Sequence, residues 1–479
     1  VSVPLLASEC PADMDVAQPS EEARPVRRRR RDRPLRLLAV TSVLLVISGL
    51  VVWHEQRQEH SENAVLRLMS QVVAIAPDGE RILIPPETDP AQVQFHPGTR
   101  VLTADSAAVL TRTTVSVDDV ARSEELAAQQ REWLESGVIP GQGGPYEDMV
   151  RTALLDIHTH LLDNGAMLAG WAGPWRYVWP RDASFAAVAL AGTGHPDDAL
   201  RILEFLQRQQ PEDGVFEARY RPDEGGVPDD RGKQNDGVGW VLWAAVELLD
   251  TLPEAEAEQV LTRLRPTIDA STDALLRLTD GPDALPPHSQ DYWEVSMYRL
   301  SLGTAAPIAL GLRSAAELQE RLGARTTARS AAVRAKKLEQ SIDVRYGAYG
   351  YPRELGGHQR DASVAFLLPP FTAKARKPVV QAWERAALGM SRISGGLAPG
   401  VGWRNDGVSW SPQTSLFALT AAAIGDTERA TAWMSWLSDH RTAFGSIPEK
   451  VLSNGEPAFP APLTWSDALV VLAAAELPN

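Results

Sequence analysis

Read by hydrophobic and polar positions alone, the chain falls into four stretches. Residues 1–36 show no apolar period and are rich in Pro, Glu, Ala and Arg, which predicts a disordered tail. Leu37 to Trp53 is a run of 17 residues without a charge. Residues 54–116 contain short alternating runs, and "QVVAIAPDGERILIPP" reads as two strands around an Asp78-Gly79 turn. From about residue 117 onward the apolar spacing becomes helical, as in "PDDALRILEFLQRQQ", "GVGWVLWAAVELLDTL" and "SDALVVLAAAEL", with Gly- and Pro-containing breaks between.

A second pattern overlies the helical one. Polar-aromatic phrases recur just before apolar helical runs: "WPRDAS" at 179, "KQNDGVGW" at 233, "DYWEVS" at 291, "QRDAS" at 359, "WRNDGVSW" at 403 and "LTWSDA" at 463. The usual interval has room for two helices and two loops, the mark of stacked helix pairs. Six pairs with their polar loops on one side predict a closed (α/α)6 toroid over 117–479, with one functional face; an open solenoid is the alternative.

Charge changes the picture at the N-terminus. Residues 1–36 hold eight Arg against six acids, so of a net −15 the remainder carries −17. So acidic a body argues against nucleic acid as a partner. Arg27 to Arg31 precede the apolar run, which as a helix spans roughly 25 Å against a ~30 Å hydrocarbon core. Arg33 and Arg36 can snorkel, and Trp53 suits the far interface. The expectation is an uncleaved single-pass anchor at 37–53, with the lipid bilayer as partner. It leaves the tail cytoplasmic and the rest extracellular, with a cleaved signal as the rival. Residues 54–116 are then a juxtamembrane stalk. The only cysteine, Cys10, lies in the tail, so the exported part has no disulfide or thiolate metal site.

The recurring phrases carry the candidate chemistry. They bring Trp179, Arg181, Asp182, Asp236, Asp291, Trp293, Glu294, Arg353 and Asp361 toward one face, and "GSIPEKV" adds Glu449 in a loop. Aromatic plates with carboxylates and Arg suit a sugar, whose faces stack while its hydroxyls bond. Glycoside hydrolysis needs one protonated and one ionised carboxyl flanking the bond. In "DYWE", taken as the mouth of a helix, Trp293 would wall Glu294 and keep it protonated. Asp182, Asp236, Asp361 and Asp467 stand near helix starts, where any one could be a cap; Arg181 and Trp179 beside it favour a functional role for Asp182, and capping is the plainer reading of the other three. The sequence has no Gly-rich phosphate loop, no H-E-x-x-H and no Ser elbow, and no metal or cofactor is expected.

Taken in order, "YVWPRDASF", "QNDGVGW", "DYWE", "IPEKV" and "PLTWSDAL" resemble the motifs of the glucoamylase-like family 15 glycoside hydrolases, over roughly residues 145–479. The resemblance implies an (α/α)6 barrel and an inverting mechanism, with Glu294 as general acid and Glu449 as general base. Arg181 and Asp182 would grip the terminal glucose beside Trp179, with Trp293, Asp236 and Arg353 as further substrate-binding residues. One position departs from the pattern: Val295 stands where the family often has a second Glu. The expected activity is exo-acting release of glucose from an α-glucoside or α-glucan, an oligosaccharide or polysaccharide. An inactive carbohydrate-binding or scaffold protein on the same fold, and a phosphorylase, are the alternatives.

Overall fold

The computed structural model describes residues 67–223 and 225–478. The expected tail (1–36) and anchor (37–53) lie outside these residues. Among the described residues no helix is long and apolar enough to cross a membrane. In chain order the helices are α1 (Ala104–Thr111), α2 (Val117–Ser136), α3 (Glu147–His160), α4 (Pro180–Gly192), α5 (Pro196–Gln209), α6 (Asp236–Thr251) and α7 (Glu254–Leu278). Then come α8 (Leu302–Arg321), α9 (Arg325–Arg345), a short 3-10 helix (Ala362–Leu367), α10 (Lys377–Met390), α11 (Ser411–Ala423), α12 (Thr427–Asp439) and α13 (Thr464–Glu476).

The polar-aromatic phrases each lead into one helix of an inner ring. That ring closes: α4 packs on α6, α6 on α8, α8 on the 3-10 helix, the 3-10 helix on α11, α11 on α13, and α13 back on α4. The outer partners are α3, α5, α7, α9, α10 and α12. The expected toroid is therefore consistent with the observed packing.

Sequence explains which helix goes where. In α4 every residue from Pro180 to Ala191 is buried, and its Ala-rich, apolar sequence suits a helix enclosed on all sides. In α5 Ala199, Leu200, Ile202, Leu203, Phe205 and Leu206 form one apolar stripe, the pattern of an outer helix. Pro196 at its start and Asp197 and Asp198 in its first turn suit a helix N-terminus. The fourth inner helix is short because Pro369 and Pro370 follow it and cannot continue a helix.

Inside the ring Trp240, fully buried, meets Phe185 at 5.0 Å, Phe366 at 4.9 Å and Phe371 at 5.6 Å between centroids. Such pairs contribute about 0.5–1.5 kcal/mol each beyond area burial, so Trp240 is core and no sugar platform. The α6–α8 crossing is close because Gly239 and Gly311 face one another. A Cβ on Gly311 would lie 2.5 Å from the Gly239 Cα.

The segment expected as a stalk is built differently. Strands β1 (Val72–Ile75) and β2 (Arg81–Ile84) form the antiparallel hairpin around Asp78-Gly79. This hairpin region is fastened to the helical domain and does not stand free. Ser70 Oγ donates to the Ala461 carbonyl at 2.7 Å, and Thr442 Oγ1 donates to the Gln71 carbonyl at 2.6 Å. Arg100 pairs with Asp156 on α3 at 2.5 Å. Residues 66–479 form one compact unit. A second small sheet went unforeseen in the sequence: β3 (Ser409–Trp410), β4 (Lys450–Val451) and β5 (Pro457–Ala458), each too short to show a period.

Candidate active site

Trp179, Arg181, Asp182, Glu294 and Glu449 line one pocket, together with Trp175, Tyr292, Trp410 and Trp465. Closure of the ring is what brings them together, since Glu294 and Glu449 are 155 positions apart.

Arg181 and Asp182 occupy the first turn of α4. Their ion pair measures 3.1 Å and is almost wholly buried. Arg181 also lies over the Trp465 ring, 4.7 Å from its centroid. No side chain caps α4, so the capping reading of Asp182 fails, and its Oδ2 instead faces the Arg181 guanidinium in that ion pair. Burial pushes the Asp182 carboxyl up, and the Arg181 charge opposes that push.

Glu294 is reached differently from what the sequence suggested. "DYWE" is a loop, and α8 begins only at Leu302. The loop is pinned at two points: Arg353 bonds Asp291 at 2.7 Å, and the Tyr292 hydroxyl donates to Asp361 at 2.6 Å. Glu294 has φ 55°, left-handed for a non-glycine residue, and its N–H bonds the Asp291 carbonyl. Oε1 of Glu294 accepts from Trp179 Nε1 at 3.2 Å and Gln234 Nε2 at 2.6 Å, and Oε2 accepts from Arg231 Nη1 at 2.5 Å.

Glu449 is held at the start of β4. Its N–H donates to the Pro460 carbonyl and its own carbonyl accepts from Ser411 N–H, each at 2.9 Å. Burial raises its carboxyl above the usual range, while the Lys450 ammonium, 3.7 Å away, pulls it back. Oε2 accepts no hydrogen bond. Lys450 is itself held over the rings of Phe459 and Trp410, 3.3 and 4.0 Å from their centroids. Such a caged cation keeps its position beside the carboxylate.

Three expected substrate-binding residues stand away from this wall. Trp293 does not cover Glu294: its ring lies 3.8 Å from the Arg353 guanidinium and meets Trp403 edge-on, beside a neighbouring cavity. The ring beside the acid is Trp179. Arg353 is taken up by Asp291 and by Asp361 at 3.3 Å, so it braces the acid loop from behind. Asp236 sits behind Arg181 at 3.9 Å, accepts from Trp240 Nε1 at 3.1 Å, and is pushed up to about 7 by burial. Asp361 does cap the 3-10 helix, through Ser363 N–H. The sequence reading missed Arg231, which no local pattern marks, and Lys450, which stands beside Glu449 in "GSIPEKV" but went unassigned. Gln234 was visible in "KQNDGVGW" but went unassigned. Among the described residues no group of His, Cys, Asp and Glu is placed to hold a metal ion.

No protein-family model matches the chain. Among curated proteins it is similar to an isomaltose glucohydrolase of Kribbella flavida, at 26% identity over 69% of this chain and 94% of that protein. In fold it matches a glycosidase with TM-score 0.60 and 22% identity, covering 69% of this chain and 97% of that one. A variant of that glycosidase is known in complex with glucose. A bacterial glucoamylase complexed with acarbose matches with TM-score 0.61 and 16% identity, over 78% of this chain and 61% of that chain. Ordered motifs, a curated relative and the fold agree on a glucoamylase-like glycoside hydrolase.

Proposed function

We propose that this chain is an exo-acting, inverting glycosidase that releases glucose from the non-reducing end of an α-glucoside. One observation carries the reading: two carboxylates remote in sequence line a single pocket together with a buried Arg181–Asp182 pair. Glucose as the released sugar draws support from the isomaltose glucohydrolase relative and from the related glycosidase in complex with glucose.

In this mechanism Arg181 and Asp182 grip the hydroxyls of the terminal sugar. Glu294 gives its proton to the departing oxygen. Glu449, ionised beside Lys450, takes a proton from water attacking the opposite face. An inverting pair leaves room for that water, so its carboxyls stand roughly 6.5–9.5 Å apart. The test is NMR of the first product from isomaltose. The β-anomer should appear first, E294Q should keep activity only on glucosyl fluoride, and E449Q should be slow on every substrate. The α-anomer as first product would overturn inversion.

We also propose that residues 37–53 anchor the protein in a membrane, with the Arg-rich tail cytoplasmic and the glycosidase outside. The charge-free run of 17 residues after Arg27–Arg31 supports this. Protease added to intact cells should remove the glycosidase and spare the tail; protection of the whole chain would overturn it.

A further inference from the structure

Arg231 has no place in the mechanism above, yet it contacts the general acid. Its Nη1 lies 2.5 Å from Glu294 Oε2, with the Arg231 and Glu294 side chains 28% and 24% exposed. The contact therefore sits at the pocket mouth, on the side where a leaving group departs.

Two facts make it a functional question. The first is hydrogen-bond arithmetic. A general acid carries a proton on one oxygen, and both oxygens of Glu294 already face donors: Trp179 and Gln234 on Oε1, Arg231 on Oε2. A proton on Oε2 takes up one lone pair and removes the negative charge, so the charge-assisted bond from Arg231 opposes protonation, and Glu294 is readier to act as the acid once Arg231 parts from it. The second is charge. Around the mouth stand Arg219, Arg231, Asp229 and Glu294. Arg219 is bound to Asp229 and stacked over Tyr177 and Trp179, and Arg231 is 3.7 Å from the same Asp229. Two cations face two anions while Glu294 is ionised. Once Glu294 holds its proton, the rim has one positive charge in surplus, and Asp229 is already committed to Arg219. Val295, the residue after the acid, is exposed and supplies no carboxylate.

We propose that Arg231 selects the leaving group, favouring an α-glucoside whose aglycone bears an anionic group on the carbon next to the glycosidic oxygen. A carboxylate there takes the guanidinium from Glu294 through paired N–H···O bonds, the geometry at which Arg excels. The same step that binds the aglycone then frees Oε2 for its proton. A neutral aglycone does not compete for Arg231, so the acid is freed less often and such substrates turn over more slowly. This inference rests on the glycosidase reading above and adds the class of aglycone.

The test compares the α-glucosides of lactate and of lactamide, which differ in the aglycone's charge, with isomaltose as reference. Wild type should favour the lactate glucoside over the lactamide glucoside at least tenfold in kcat/KM. Arg231→Gln should bring that ratio to about one, chiefly by losing the lactate substrate, and Arg231→Lys should keep part of it. Melting curves confirm that each variant folds. A wild-type ratio near one, or a tenfold ratio that survives Arg231→Gln, overturns the inference while hydrolysis of isomaltose leaves the glycosidase reading intact. Failure to hydrolyse any of the three overturns that reading, and this inference with it.

Discussion

At the residue scale the pocket sets two buried carboxyls against two buried cations, and each pair can be tested separately. Glu449 must be ionised to act as a base, yet burial pushes it up and Lys450 pulls it down. Its activity is therefore lost as pH falls through its folded value, which lies above the usual glutamate range. Lys450→Met removes the opposing charge, so the acid limb of the kcat/KM profile should move to higher pH. A limb that stays in place would deny Glu449 the role of base. Asp182→Asn keeps the side-chain shape while losing the charge that Arg181 pairs with and that accepts hydroxyl protons. We expect a loss on the order of 3 kcal/mol of transition-state binding in kcat/KM. Melting temperature should fall far less than activity, because Asp236, 3.9 Å from Arg181, still faces that charge. The reverse pattern, a lower melting temperature with full activity, would make it a structural residue. Glu294, Glu449, Arg181 and Asp182 were legible because each sits inside a motif. Trp293 was misread because its neighbour in sequence is not its neighbour in space: the left-handed turn at Glu294 sends the acid toward Trp179 and leaves Trp293 over Arg353. Arg231 acts on Glu294 from 63 positions away, which leaves no periodic trace, whereas Lys450 stood beside Glu449 in "IPEKV" and was passed over.

At the element scale the legible part was the alternation of enclosed and amphipathic helices. Most of the polar-aromatic phrases foretold where inner helices begin, since a helix start that faces the pocket needs polar residues next to a fully apolar stretch; "DYWEVS" did not, because α8 starts only at Leu302. The small β3–β5 sheet and the docking of the hairpin segment were not legible. The sheet rests on backbone hydrogen bonds that any sequence can make, and the docking on single side chains far apart in sequence, such as Ser70, Arg100 and Thr442. The ring itself depends on close crossings, and α6–α8 gives a test in which two effects compete. Gly239→Ala gains about 1 kcal/mol in helix propensity. Its new Cβ, however, would sit 2.1 Å from the Pro307 carbonyl oxygen, backbone that cannot step aside. Overpacking costs about 1–3 kcal/mol or more, so the clash should win and the variant should melt lower. Gly192→Ala, at the end of α4 with nothing within 4 Å, isolates the propensity term and should be neutral or slightly stabilising. If both variants behave alike, the α6–α8 crossing is looser than described.

At the scale of the whole molecule the segment before the helical ring acts as a clamp on the loop that carries Glu449. Met69 N–H bonds the Phe459 carbonyl and Phe459 N–H bonds the Arg67 carbonyl, each at 2.9 Å. Ser70 holds Ala461, Gln71 holds Thr442, and Arg100 bonds the Phe444 carbonyl at 3.0 Å and Ser446 Oγ at 3.1 Å. Both arms of the base loop are thus tied to residues 67–100, and Phe459, tied the same way, is the ring beneath Lys450. Arg100 also serves the core: it pairs with Asp156, and burial pushes nearby Asp467 well above the usual range. Removing one partner of a buried pair costs about 3–5 kcal/mol, because the other charge stays behind unpaired. A chain begun at residue 66 should therefore fold and hydrolyse isomaltose with the kcat of the full chain. A chain begun at residue 104 loses the hairpin, Arg100 and the ties that residues 67–100 make to the loop carrying Glu449. It should melt far lower, and, if Glu449 is the base we propose, any folded fraction should fall at least a hundredfold in kcat, since that carboxylate is no longer held against Lys450. Circular dichroism melts and product counts per folded molecule separate the two effects. Full kcat from the shorter chain would show that the loop holds Glu449 unaided, and would reduce the hairpin segment to a stabilising appendage.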